Sequence, residues 1–419
     1  MKLYGKWWML LLVIMLVALP LMTACGDDDD DATATKETPV KKITVTIGIL
    51  TDKTGPASQA LAPVDQALKD MVKYFNDENL ITGAEVKVIE YDTQYDPSKD
   101  KPGYEWLLDK GADIIFTGVP SSPLTLKSHV DGDEQFMFSL TASEEMYTPP
   151  GWVFCSNVSA EVFTMTLLDY LANNDPDFPA DRPAKIGAVG SGPYQEAMQE
   201  GLKAYIGAHP DKFEWVKGYL VDFATVDFST EVEGLKDCDY IVPPSTGFSI
   251  PNFIGQYLDA GHSTTFLGTD AHMAYLGLLI DGVGWEGFDG MTFAFPYRWW
   301  NEDDEVVNLA KQILERYHSE SEIGPLKWSG GAYRGGLTQS YGMLTIIAGA
   351  VNEFGAEDFN SQAIYDYAVG FSQSFDGNVW DYSETERQSW NSLGIYEASA
   401  AEEEILRAQT EWQPCVFTP

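Results

Sequence analysis

Apolar and polar positions along the first part of the chain follow strand and helix periods in turn. Ile43–Leu50 is a short, nearly continuous apolar run, as in a buried strand, and Val64–Asn76 places Leu68, Met71 and Phe75 on one helical face. Further strands are predicted at 85–92, 113–117 and 136–140, and further helices at 103–110 and 123–131. This alternation, with short links, predicts a parallel sheet that has helices on both faces.

The same alternation restarts near residue 160. Helices are predicted at 161–173, 194–206, 228–236 and 250–260, and strands at 185–189, 215–221, 240–242 and 265–268. The chain has 419 residues, which is enough for two or three domains. We therefore predict an α/β fold of two doubly wound lobes with parallel sheets. Because open α/β sheets bind ligands beyond the carboxyl ends of their strands, the expected site is a cleft between the lobes.

The first 42 residues have the pattern of an export signal followed by a tether. A basic start precedes the apolar stretch Trp7–Leu19, and the residues around Cys25 resemble a bacterial lipobox, whose cysteine is lipidated. The apolar stretch is short against the ~20 residues of a membrane span. We predict a lipoprotein signal peptide at 1–25 and an acidic, flexible tether at 26–42. An uncleaved anchor helix is the alternative. Either one leaves the rest of the chain outside the cell membrane.

Composition narrows the classes of function. A net charge of −38 opposes binding to nucleic acid, because the phosphates would repel the protein. The four cysteines lack CxxC spacing and the five histidines lack HExxH spacing, so neither a metal site nor a cofactor is predicted. A GxSxG elbow and a phosphate-binding P-loop are also absent from the sequence. If Cys25 is lipidated, the pairing of Cys155, Cys238 and Cys415 stays open. We predict a binding protein and not an enzyme.

Several short motifs, in order along the chain, are similar to those of one known family. They are Ile47–Leu50 with Thr54–Pro56, Phe116–Gly118 with Ser122, Phe138–Ser143, Gly190–Tyr194, Asp227–Ser229 and Leu267–Asp270. Together they resemble the Leu/Ile/Val-binding proteins, which are type I periplasmic binding proteins that serve ABC importers. The resemblance runs from about residue 43 to 350. Ala60 and Gln195 depart from it, because the family often has a ligand-contacting tyrosine and a glycine there.

The resemblance implies ligand-binding roles for residues that follow strands. Ser122, the amide of Ala142 and Ser143 would hold a ligand carboxylate at helix starts, where free amides favour an anion. Asp270 would neutralise a ligand ammonium, where the family carries glutamate. All three polar side chains have an alternative role as helix caps.

The resemblance also implies which residues line the pocket. Tyr194 and Tyr333 would supply aromatic walls with polar tips, and plain packing is the alternative for both. Thr246 occupies a position where the family has an aromatic residue. Because Ala60 and Thr246 both depart from the family, a branched-chain amino acid cannot be assumed as the ligand.

Fold and function follow from the same resemblance. A hinge of several crossovers would join lobe 1, at 43–155 and 292–385, to lobe 2, at 156–291 and 386–419. The protein would be a membrane-anchored lipoprotein outside the cell membrane or in the periplasm. It would capture an amino acid or related small carboxylate by hinge closure and deliver it to ABC permease subunits. A sensory lipoprotein on the same fold and an exported hydrolase are the alternatives, and the absent catalytic motifs count against the hydrolase.

Overall fold

The computed structural model describes residues 42–419. The expected signal peptide, the lipidation site at Cys25 and the tether up to residue 41 lie outside the described residues. Within them, strands and helices alternate as the sequence predicted, and the α/β fold with two lobes is confirmed. None of the described helices combines the length and the apolar character that a membrane span requires.

The first lobe is built on a five-stranded parallel sheet in the order β2-β1-β3-β4-β5. Its strands are β1 (Ile43–Thr51), β2 (Ala84–Asp92), β3 (Ile114–Thr117), β4 (Met137–Ser139) and β5 (Val153–Cys155). The helices α1 (Ser58–Asp77), α2 (Pro97–Asp109) and α3 (Ser122–Asp133) connect them. β1 is buried from Val45 to its end, which explains why its apolar run is nearly continuous.

The second lobe is built on a larger, mixed sheet. Its parallel strands, in sheet order, are β7 (Phe213–Leu220), β6 (Ala184–Gly190), β8 (Tyr240–Val242), β9 (Thr265–Thr269) and β10 (Thr292–Phe295). The antiparallel strands β13 (Ser392–Ser399), β14 (Glu404–Arg407) and β15 (Gln413–Pro414) extend it beyond β10. The helices of this lobe are α4 (Ala160–Asn174), α5 (Gly192–Ala208), α6 (Ser229–Leu235), α7 (Ser249–Asp259), α8 (Asp270–Met273) and α9 (Leu276–Gly287). The antiparallel edge is a feature that the sequence pattern did not indicate.

A long helix lies between the lobes. The elements that follow β10 are α10 (Glu305–Tyr317), α11 (Glu320–Trp328), α12 (Gly331–Phe354), α13 (Ser361–Val369) and the hairpin β11 (Ser372–Phe375) and β12 (Asn378–Asp381). α12 begins beside α8 of the second lobe and then packs along α1 of the first. A Cβ atom at Gly336 would lie 2.9 Å from the Cβ of Ala67, so this close approach of the two helices requires glycine.

The described chain crosses between the lobes after β5, after β10 and after β12. The sequence placed the second crossing at residue 292, but Thr292–Phe295 pairs with β9 and β13. The boundary was therefore set a few residues too early, because an apolar strand carries no sign of the lobe to which it belongs. The first and third crossings touch, and the amide of Ser389 donates to the carbonyl of Asn157 over 3.0 Å.

Candidate functional site

A cavity of about 80 Å³ lies between the lobes, at the carboxyl ends of their parallel strands. Gly118 follows β3, Thr141 follows β4, Thr246 follows β8 and Asp270 follows β9. Gly331, at the start of α12, lines the same space. We call this space the inner cavity. The structure thus has a cleft where the two-lobe pattern predicts one.

A second, larger cavity adjoins the first, and Thr246 lines both. It measures about 300 Å³ and we call it the outer cavity. Its walls are the loops before α1 and α7 together with the first residues of these helices, and the loop after β7 at 223–226. Between the lobes, the ring of Tyr95 stands edge-on to the ring of Phe223, with 5.5 Å between centroids. The outer cavity is bordered by exposed side chains, such as those of Val226 and Phe248.

The two lobes line the inner cavity with different chemistry. Apolar side chains of the first lobe are Ala57, Ala60, Leu61, Val64, Pro120 and Leu140. Polar side chains of the second lobe are Tyr194, Ser245, Thr246, Asp270, Tyr275 and Tyr297. Tyr95, Thr141 and Gln339 add neutral polar groups on the first-lobe side. Among the described residues that line either cavity, Asp270 is the one whose side chain carries a charge. No group of metal-ligating side chains is arranged to hold an ion within residues 42–419.

Asp270 is the first residue of α8 and is buried. Its Oδ1 accepts a hydrogen bond of 2.8 Å from the amide of Ala271 and a longer one of 3.4 Å from Oη of Tyr194. Its Oδ2 accepts a hydrogen bond of 2.6 Å from Nδ2 of Asn157. Burial raises the pKa of Asp270 to about 7, although these hydrogen bonds act to lower it. A cation beside the carboxylate would relieve the cost of burying its charge.

Tyr297 presents a second polar group to the inner cavity. Its ring is buried, and its hydroxyl has no hydrogen-bond partner among the described residues. Behind it, the guanidinium of Arg334 lies 5.7 Å from the centre of the Tyr297 ring. Arg334 is fully buried, donates from Nη1 to Thr338 over 2.5 Å and does not line the cavity. A buried hydroxyl without a partner is costly, so a ligand that reaches Tyr297 would be stabilised by it.

The structure brings three of the predicted site residues together. Tyr194, Thr246 and Asp270 all line the inner cavity. Ser122 does not, because its hydroxyl turns back towards α2 and donates to Oδ1 of the buried Asp100 over 2.8 Å. Ser122 therefore lies outside the wall of the inner cavity in this structure, and its role in binding stays a prediction.

Ala142, Ser143 and Tyr333 are also absent from the cavity wall. Ala142 is buried in the apolar packing between α2, α3 and the first sheet. Ser143 precedes a single 3₁₀ turn, and its hydroxyl donates to Glu145 over 3.4 Å. Tyr333 points towards α1 and donates to Oδ2 of Asp70 over 2.8 Å. The helical rotation of α12 thus turns Tyr333 away, while Ala332 and Gln339 face the cavity.

Tyr95, Tyr275, Tyr297 and Gln339 are among the lining residues that were not predicted. Tyr297 follows the apolar strand β10 by two residues, so the strand-end argument that found Asp270 also applies to it. Tyr95 and Gln339 carry no comparable signal in the sequence.

Comparison with known proteins agrees with this architecture. A family model described as periplasmic binding protein matches residues 44–339. No curated protein matches the chain significantly.

Solved structures match over most of their length. A branched-chain amino acid ABC transporter protein from Thermus thermophilus, with bound valine, is 19% identical, with 90% of this chain and 97% of that chain covered and a TM-score of 0.75. A fatty acid ABC transporter substrate-binding protein from Thermomonospora curvata is 15% identical, with 90% and 93% covered and a TM-score of 0.74. A solute binding protein of an ABC transporter from Rhodopseudomonas palustris BisB5, in complex with 3,4-dihydroxybenzoic acid, is 16% identical, with 90% and 99% covered and a TM-score of 0.72. At these identities, the likeness shows the fold.

Proposed function

The chain belongs to the periplasmic binding protein family, and we propose that it is the substrate-binding lipoprotein of an ABC importer. In this proposal it captures a small molecule outside the cell membrane, between its two lobes, and delivers that molecule to permease subunits. One observation carries the proposal, namely the buried carboxylate of Asp270 in a cavity to which both lobes contribute.

The geometry of the cavity supports the capture of a ligand by closure of the two lobes around it. Each lobe supplies only part of the wall, so a ligand is enclosed only when the two lobes approach each other. The crossings after β5 and β12 are short and touch, so they form a natural hinge. Binding energy gained from both halves would favour the closed arrangement over the open one.

The family resemblance implies an amino acid or related small carboxylate as the ligand. The solved structures with valine and with 3,4-dihydroxybenzoic acid hold ligands of that size and class. The inner cavity supports one end of such a ligand, because Asp270 is suited to an ammonium group. The lipid anchor at Cys25 remains part of the proposal, on the strength of the lipobox pattern alone.

A ligand panel tests the proposal. Amino acids, aliphatic and aromatic amines and small aromatic acids would each be added to the purified protein in a thermal-shift assay. A ligand present at about 100 times its Kd should raise the free energy of unfolding by about 2.7 kcal/mol. Small-angle scattering with the best compound should then show a smaller radius of gyration. A panel in which no compound stabilises the protein would contradict capture, and an unchanged radius of gyration with a stabilising compound would contradict closure.

A further inference from the structure

The inner cavity offers the ligand two chemically different sides. The first lobe presents small aliphatic side chains and Pro120, which has no amide hydrogen to donate. The second lobe presents Asp270 and three tyrosines. A ligand that matches both sides has an apolar body directed at the first lobe and a cationic group directed at the second.

The second-lobe side has the composition of a site for an organic ammonium. Tyr194, Tyr275 and Tyr297 line it together with Asp270, and Tyr95 closes it from the first lobe. Aromatic faces attract ammonium groups through their quadrupoles, and a desolvated carboxylate adds a charged hydrogen bond. When it is ionised, Asp270 has the sign of charge that an ammonium requires.

On the first-lobe side, the serine hydroxyls that the sequence predicts for a ligand carboxylate are already bonded, and the donors that remain, such as the Gln339 amide, are neutral. The hydroxyl of Ser122 is bonded to Asp100, and that of Ser143 is bonded to Glu145. Thr141 does line the cavity, but its hydroxyl donates to the carbonyl of Val158 over 2.8 Å.

Positive charge is also missing from the cavity walls. The nearest buried cation, the Arg334 guanidinium, lies behind the ring of Tyr297, and no lysine, arginine or histidine of the described chain lines either cavity. A ligand that carries a carboxylate would bring a second negative charge into a cavity whose walls hold no cation to balance it.

We propose that the natural ligand is a small protonated amine with an apolar body and without a free carboxylate. Its ammonium binds Asp270 within the tyrosine-lined side, and its body lies against Ala60, Leu61 and Leu140 of the first lobe. The inner cavity of about 80 Å³ sets a small size, and a longer body continues past Thr246 into the outer cavity. This inference rests on the proposed capture function and specifies its ligand class.

Three molecules that share the 3-methylbutyl group of leucine separate the possibilities. Isopentylamine is leucine without its carboxylate, and 4-methylpentanoate is leucine without its amine. Calorimetry of each with the full-length protein should give isopentylamine a Kd at least tenfold below that of leucine, and no measurable binding of 4-methylpentanoate. The aromatic set of phenethylamine, phenylalanine and 3-phenylpropanoate should give the same order.

Any other rank order of these affinities overturns the proposal. If leucine or phenylalanine binds as tightly as its amine, the first lobe holds a carboxylate through groups such as the main-chain amides of 141–143. If an acid binds best, the proposal that Asp270 binds a cationic group of the ligand is wrong. If no member of either set binds, the amine class is wrong. The capture function is then judged separately, by whether any compound of the broad panel stabilises the protein.

Two variants of Asp270 test whether the amine binds at this residue. Asp270→Asn should weaken isopentylamine binding by ~30-fold or more, whereas Asp270→Glu should retain part of it because the charge is kept. Asp100→Asn is the matched control, since Asp100 is also a buried aspartate with a hydroxyl donor but does not line the cavity. Its Kd for isopentylamine should equal that of the wild type. An equal loss in both aspartate-to-asparagine variants would contradict the assignment of the ammonium to Asp270.

Discussion

Nδ2 of Asn157 donates a hydrogen bond of 2.6 Å to Oδ2 of Asp270. Asn157 lies in the crossing between β5 and α4, and its carbonyl accepts from both the amide and the hydroxyl of Ser389 in the third crossing. The ligand-facing carboxylate is thereby connected to the segments about which the lobes would move. A charge that binds Asp270 is therefore linked to these segments through Asn157.

Replacing Asn157 by Ala should weaken ligand binding, because Oδ2 of Asp270 loses a donor and its charged form becomes harder to bury. A hydrogen bond to a charged group contributes about 1.5–3 kcal/mol, so the Kd should rise by at least ~10-fold. Calorimetry measures this loss. Ser389→Ala is the control, since it removes a contact of Asn157 but not the bond to Asp270. A loss that is equally large in Ser389→Ala would assign the effect to the hinge backbone alone.

The serine at the start of α3 should matter for stability and not for binding. Ser122→Ala removes the donor to the buried carboxylate of Asp100, so the free energy of unfolding should fall by about 1–3 kcal/mol. Denaturant unfolding measures the fall, and the Kd of the ligand should stay within about twofold of wild type. A stable variant that has lost affinity would show that Ser122 holds the ligand after all.

Ligand affinity should depend on pH because burial raises the pKa of Asp270 to about 7. An amine with a pKa near 10 stays protonated from pH 6 to 8, whereas Asp270 must be ionised to bind it. The Kd should therefore rise about tenfold on going from pH 8 to pH 6. Tyr194, Tyr297 and Cys155 also lie near Asp270, but burial raises the pKa of each, so they stay neutral over this range. Burial lowers the pKa of His272 to about 4, so it is neutral as well. A flat profile would contradict ionisation of Asp270 on binding.

The anchor has its own test. Cys25→Ser should release the protein from the membrane fraction and abolish lipid labelling, because the lipobox cysteine is the acceptor. Cys415→Ser serves as a control and should remain membrane-bound. Unchanged fractionation of Cys25→Ser would remove the lipoprotein part of the proposal.

Much of the fold follows from periodicity alone. The strand predicted at Ile43–Leu50 is observed at Ile43–Thr51, because a centrally buried strand must be apolar on both faces. The first and last residues of the helices are less well predicted. The helix expected at 103–110 begins at Pro97, since Asp96 caps it by accepting from the amide of Ser98.

The candidate site is predictable where a residue directly follows a strand. Asp270 is found in this way, because parallel strands deliver their carboxyl ends to one edge. Residues carried by helices or loops are not found. The rotation of α12, which packs against α1, turns Tyr333 away from the cavity. Tyr95 reaches the cavity because its own backbone is left-handed, with a φ of 56°, a conformation that no pattern in the sequence indicates.

The role of Asp270 as the anchor of a ligand held between the lobes is tested most directly by calorimetry on the wild type and Asp270→Asn. The compound that gives the largest thermal shift in the panel serves as the ligand, and circular dichroism confirms that the variant is folded. Loss of a charged partner in a desolvated site costs about 2–5 kcal/mol, so the Kd should rise by ~30-fold or more. A Kd in Asp270→Asn equal to that of the wild type would contradict ligand capture at this carboxylate.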